Sequence, residues 1–138
     1  MLLTREEILG ANDLPTEDVD VPEWGGTVRI KTLTGQERDA FEASVIIMKQ
    51  IKDGRRTRTE TQPDLKNLRA KLVAQSIVGP DGQLLFTDAD VLALGQKSAA
   101  ALDRVYEASS RLSRITDADL EDLEKNSGNG QSESSTSA

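Results

Sequence analysis

The stretch Asp18-Val19-Asp20-Val21-Pro22-Glu23-Trp24-Gly25-Gly26-Thr27-Val28-Arg29-Ile30-Lys31, continued through Thr34 to Ile51, decides the fold. Val19 and Val21 alternate with Asp18 and Asp20, the period-two pattern of a half-buried strand. Pro22 ends that run, and Gly25 and Gly26 tolerate the positive φ angles of a tight turn. Alternation resumes with Val28 and Ile30 against Arg29 and Lys31, so a β-hairpin is expected near residues 18–33. At Thr34 the period changes. Thr34 and Glu37 stand in the T-x-x-E relation of a capping box, in which each side chain satisfies an orphan N–H at a helix start. Phe41, Val45 and Met48 then recur at helical spacing, and Val45-Ile46-Ile47-Met48 is apolar nearly all the way round. The expected helix frays near Lys52-Asp53-Gly54. Its surplus apolar surface leaves two readings open: core packing or self-association on one side, a partner surface on the other.

Working outward, Thr4 and Glu7 make a first capping box that opens a short helix ending at Gly10. A polar connection from Asn12 to Glu17 leads into the hairpin. Beyond Gly54, residues to Gln62 are polar and basic and read as an exposed loop. Lys49, Lys52, Arg55, Arg56 and Arg58 form the only concentrated basic patch. No aromatic side chains interleave to stack bases, so a solvated loop is favoured over a phosphate or acidic-partner contact. Pro63 suits the first turn of a second long helix, with Thr61 as N-cap and Leu65, Leu68, Leu72, Val73 and Ile77 on its apolar stripe.

Gly79-Pro80-Asp81-Gly82 is a turn, and Leu84-Leu85-Phe86 a short extended segment. Thr-Asp-Ala-Asp occurs twice, at Thr87 to Asp90 and Thr116 to Asp119. Both copies read as helix caps with acids at the positive end of a dipole, since neither continues as a calcium loop. Between them Ser98 to Leu112 is a third long helix, with Leu102, Val105, Tyr106 and Leu112 on one face. Asn126 to Ala138 is Ser, Gly, Asn and Gln-rich and is expected to be a disordered tail behind a single domain over 1–125. The fold expected is α+β, mainly α: a small helical domain carrying an N-terminal β-hairpin.

The 138 residues suffice for one modest core, and with 3 % aromatics it must be built from Leu, Ile, Val and Ala. A formal charge of −7 argues against general nucleic-acid affinity. There is no cysteine and no histidine, which excludes disulfides, thiol chemistry, zinc sites of the usual kind and Ser–His–Asp triads. No apolar run approaches the ~20 residues of a membrane span, and the acidic start is unlike a signal peptide. A soluble, non-catalytic protein in a reducing cytoplasm is expected, with no cofactor and no metal.

The block from Val19 to Glu42, the helix from Leu65 to Val78, Leu84 to Asp90 and Leu94 to Ser98 resemble the tail assembly chaperones of long-tailed bacteriophages. The likeness runs roughly from Leu2 to Lys125. It implies a protein that binds the long helical tape-measure protein and is displaced as major tail-tube protein subunits polymerise. It further implies action in the host cytoplasm, absence from the mature virion, and a frameshifted longer form of the same chain. Self-association is compatible with it. The expected client mode is helix-in-groove, with Phe41, Val45, Ile47, Met48 and Ile51 as anchors and Arg55, Arg56 and Arg58 behind them. The alternative is a virion structural protein, such as a head–tail connector or tail-completion component, that uses the same helices to oligomerise.

Overall fold

The computed structural model describes residues 1–115. The elements are α1 (Arg5–Leu9), β1 (Thr16–Val21), β2 (Gly26–Lys31), α2 (Gly35–Ser44), β3 (Ile46–Asp53), β4 (Arg56–Pro63), α3 (Leu68–Ser76), β5 (Ile77–Val78), α4 (Val91–Gly95) and α5 (Ala99–Leu112). Single 3-10 turns cover Pro22–Trp24 and Asp88–Asp90. Five strands in two sheets among the described residues correct the mainly helical expectation: the fold is α+β, with strand in two separate places.

The first sheet has the order β1-β2-β5, all antiparallel. Thr16 pairs with Lys31 and Val21 with Gly26, so the predicted hairpin forms where the alternation placed it. Its turn is longer than a two-residue loop. Pro22 to Trp24 coil into a 3-10 turn, and Gly25, at φ +74°, reverses the chain. Val21 and Ile30 are fully buried, and with Val73, Ile77, Leu102 and Val105 they form the main core beneath α3 and α5. A second cluster joins Leu33, Phe41, Val45, Leu72 and Ile115. The buried Ser113 hydroxyl accepts from the Leu33 amide at 2.9 Å and ties the end of α5 to the end of β2.

The capping boxes form as the sequence predicts. Thr4 with Glu7 and Thr34 with Glu37 exchange both side-chain-to-backbone bonds, and Ser98 caps α5. Thr87 and Asp90 do the same at the 3-10 turn, which settles Asp90 as a cap acid. The second Thr-Asp-Ala-Asp and the polar tail lie outside the described residues.

The long helix expected from Thr34 to Ile51 does not exist. Helix α2 stops at Ser44, and Ile46 begins a strand. Two causes are local. The Ser44 hydroxyl donates back to the Phe41 carbonyl at 2.7 Å, competing for a ladder acceptor. Val45, Ile46 and Ile47 are consecutive β-branched residues, stiff in a helix and suited to a strand. The expected basic loop is likewise strand β4. The second helix starts at Leu68, because Asn67 sits at φ +59° and Pro63 closes β4.

Candidate functional site

Strands β3 and β4 pair over eight residues each, from Ile46 with Pro63 to Asp53 with Arg56, and with no other strand. The connection is the two-residue turn Gly54-Arg55. Gly54, at φ +67°, stands first in it, as a type II′ turn requires. None of the hairpin side chains described is buried: Ile46, Ile51 and Glu60 are half-buried, whereas Met48, Gln50 and residues 52–59 are exposed. The hairpin is therefore an arm that leaves the body.

Its root is fixed where its tip is not. The Asp64 amide donates to the Val45 carbonyl at 2.5 Å, and the Lys71 ammonium donates to the Ser44 carbonyl at 2.7 Å. Lys71 also lies 3.8 Å from the Asp64 carboxylate. Lys71 thus ties the base of the arm to α3, which is held in the core by Leu72 and Val73.

Charge divides the same way. Between Ile46 and Pro63 there are five basic residues against two acidic ones, in a chain of net charge −7. On the body, Arg29 meets Asp18 at 2.8 Å, Arg104 meets Glu23 at 2.9 Å and Arg111 meets Glu17 at 2.5 Å. Arg69 pairs with Asp103, and Lys31 with Glu37. Arg29 holds the Asp18 carboxyl below the ordinary aspartate range, and Arg104 does the same for Glu23. Burial pushes Glu37 up, but the Lys31 ammonium and the Thr34 amide outweigh it and leave it lowered. On the arm, Arg58 reaches Glu60 at 3.0 Å, while Lys52, Arg55 and Arg56 have no carboxylate partner among the described residues. Uncompensated cations are concentrated at the arm's tip.

The eight predicted contact residues are thereby separated. Phe41 and Val45 are fully buried and belong to the second core cluster. Met48 is 78 % exposed and Ile51 half-buried, both on β3. Ile47 pairs in register with Gln62 on the same hairpin. Arg55, Arg56 and Arg58 are exposed at the tip and along β4. The arm brings six of the eight together on one element, although that element is a hairpin and the groove of a helix is gone. The signal for it lay in the turn residue Gly54, followed by Thr57, Thr59 and Thr61 alternating along the next strand.

Elsewhere an open, mainly apolar hollow of about 380 Å³ is lined by Trp24, Phe86, Asp90, Ala93, Leu94 and Lys97. Among the described residues no three Asp or Glu side chains gather to hold a metal ion, and no helix is long and apolar enough to cross a membrane. A family model described as phage tail assembly chaperone matches residues 10–126, well over half of the chain. No curated protein and no solved structure matches.

Proposed function

We propose that this chain, which belongs to the phage tail assembly chaperone family, does its work in tail assembly by holding the tape-measure protein through the β3–β4 arm. Membership gives it a role in tail assembly inside the host cell, with phage tail proteins as partners. The identity of the client and the contact surface are the proposal. The observation that carries it is the arm itself: eight-residue strands, rooted at Val45 and Asp64, that bury no described side chain and carry three exposed cations without a carboxylate partner among the described residues. A lone two-stranded hairpin is marginal in water, so one this long gains its order in use from what it touches. Residues Ile47, Met48, Ile51, Arg55, Arg56 and Arg58 form the contact, and Phe41 and Val45 hold its root. Tube subunits displace the chaperone as they polymerise, and a frameshifted longer form recruits them. The chain then leaves no copy in the mature virion.

Co-expression with the tape-measure protein of the same phage, followed by affinity capture and size-exclusion chromatography, tests this. Wild type is expected to co-elute with the client. The Arg55→Glu, Arg56→Glu variant, shown folded by circular dichroism, is expected to lose at least nine-tenths of that co-elution. Two soluble proteins that never associate would overturn the client assignment. Undiminished capture by the folded variant would move the contact off the arm.

A further inference from the structure

The free edge of the arm carries more information than its charge. In a two-residue hairpin the residues flanking the turn exchange both backbone bonds, so Asp53 and Arg56 are a hydrogen-bonded pair. Alternation then makes Ile51 with Arg58 the next such pair, and leaves Lys52 with Thr57 and Gln50 with Thr59 as non-bonded pairs. The amides and carbonyls of Thr57 and Thr59 on β4, and of Gln50 and Lys52 on β3, consequently point away from the partner strand. No further strand lies on either side among the described residues. Such an edge is a template for another strand unless something guards it. Here no proline or bulge interrupts residues 47–62, whose pairing is continuous. The only guard is positive charge.

That guard selects. A second copy of the arm would bring net positive charge against net positive charge, which disfavours pairing arm to arm. An acidic extended segment would instead be drawn in. The two edges also differ in chemistry. Strand β4 offers β-branched threonines and arginines, whose planar fork matches a carboxylate, whereas β3 offers Gln50, Lys52 and Met48. We infer that the arm binds its client by β-strand addition: an extended, acidic segment of the client pairs along the outer edge of β4, with Arg55, Arg56 and Arg58 meeting its carboxylates. This rests on the client reading above and replaces the helix-in-groove mode with one in which main-chain bonds supply affinity and alternate side chains supply selection.

The full chain would be titrated with a fluorescent, end-capped twelve-residue peptide of alternating threonine and glutamate. A second peptide of the same sequence, N-methylated at alternate residues, keeps the charge and cannot donate from that edge. The plain peptide is expected to bind at least tenfold more tightly than the methylated one. Thr59→Pro removes an outward donor without touching the internal ladder, and is expected to weaken binding about tenfold; Gln50→Pro, its counterpart on β3, is expected to leave it within twofold. Amide NMR spectra would confirm that the hairpin persists in both variants. Equal binding of the two peptides would mean adsorption by charge alone and would overturn strand addition, whatever the proline variants did. Loss with Gln50→Pro and not with Thr59→Pro would overturn the choice of edge. If neither peptide binds while the tape-measure protein is still captured through Arg55 and Arg56, strand addition fails and the client reading stands. If that capture also fails, both fail.

Discussion

Hairpins β1–β2 and β3–β4 are built on the same antiparallel plan and are put to opposite uses. The first gives up Val21 and Ile30 to a core under α3 and α5, and its Glu17, Asp18 and Glu23 are tied to Arg111, Arg29 and Arg104. The second buries none of its described side chains and leaves Lys52, Arg55 and Arg56 without carboxylate partners among the described residues. What separates them is the chain that follows each. After β2 comes a capped helix and, later, β5, which pairs with Arg29 and Ile30 and closes the sheet. After β4 comes Asn67 in a left-handed conformation, and α3 turns into the core without covering the arm. One hairpin is made part of a fold, and the other is presented by it.

The sharpest way to break this contrast is to truncate one residue on each side. Ile30→Ala removes a fully buried side chain and should cost about 2–5 kcal/mol in chemical denaturation; Phe41→Ala, at the root, should cost about 3–5 kcal/mol. An Ile30→Ala variant losing less than about 1 kcal/mol would mean that the first hairpin is not the core element described. Next comes the turn of the arm. Gly54→Ala forces an L side chain into φ +67° and should cost the hairpin about 1–2 kcal/mol. Because the outer part of the arm buries no described side chain, the loss should appear as faster amide exchange in β3 and β4 with the global melting temperature unchanged. A drop in the global transition would show that the arm and the body unfold together.

A third measurement probes the body's electrostatics. Thr34→Ala deletes an N-cap and should cost about 1 kcal/mol. Its partner acid gives the effect a pH signature. Glu37 is lowered in the folded chain, so the stability it lends is present above the ordinary glutamate range and is lost as pH falls through its folded value. Asp18 and Glu23 are lowered as well and act in the same sense. Unfolding free energy should therefore decline on acidification, and less steeply in Glu37→Gln. A Glu37→Gln chain with the wild-type acid profile would remove that group from the account.

The two hairpins also differed in how legibly they were written. Val19, Val21, Val28 and Ile30 alternate cleanly with charges, and one face of that alternation is buried, so period and burial agree. Capping boxes at Thr4, Thr34 and Thr87 were legible because they are short-range bonds within four residues. The arm was misread because Phe41, Val45 and Met48 sit at helical spacing by coincidence across a boundary: the first two end a helix in the core, and the third begins the exposed run of a strand. Periodicity cannot separate those cases when the strand has no buried face to impose alternation. The turn chemistry of Gly54 and the threonines of β4 decided it, and those are weaker signals than an apolar run. Concentration of positive charge over residues 49–58 was legible, whereas its presentation on an arm depended on pairing that no local pattern fixes.

The smallest effect, that of Met48→Asp, is the most discriminating when set against its neighbour three residues away. Val45 is 1 % exposed in the second cluster, and Met48 is 78 % exposed on the arm. Val45→Asp places a carboxylate among the apolar side chains of Leu33, Phe41, Leu72 and Ile115, and should leave little folded protein. Met48→Asp puts the same group in water, beside an arm of net positive charge, and should change stability by no more than about 0.5 kcal/mol. The contrast can be read in two circular-dichroism melts. Were the segment a continuous helix with one apolar stripe, both substitutions would strike the same face and both would destabilise. A folded Met48→Asp protein beside an unfolded Val45→Asp one places the boundary between fold and arm at Ile46. A folded Met48→Asp that also loses tape-measure capture would put the arm's apolar edge, along with its charge, in the client contact.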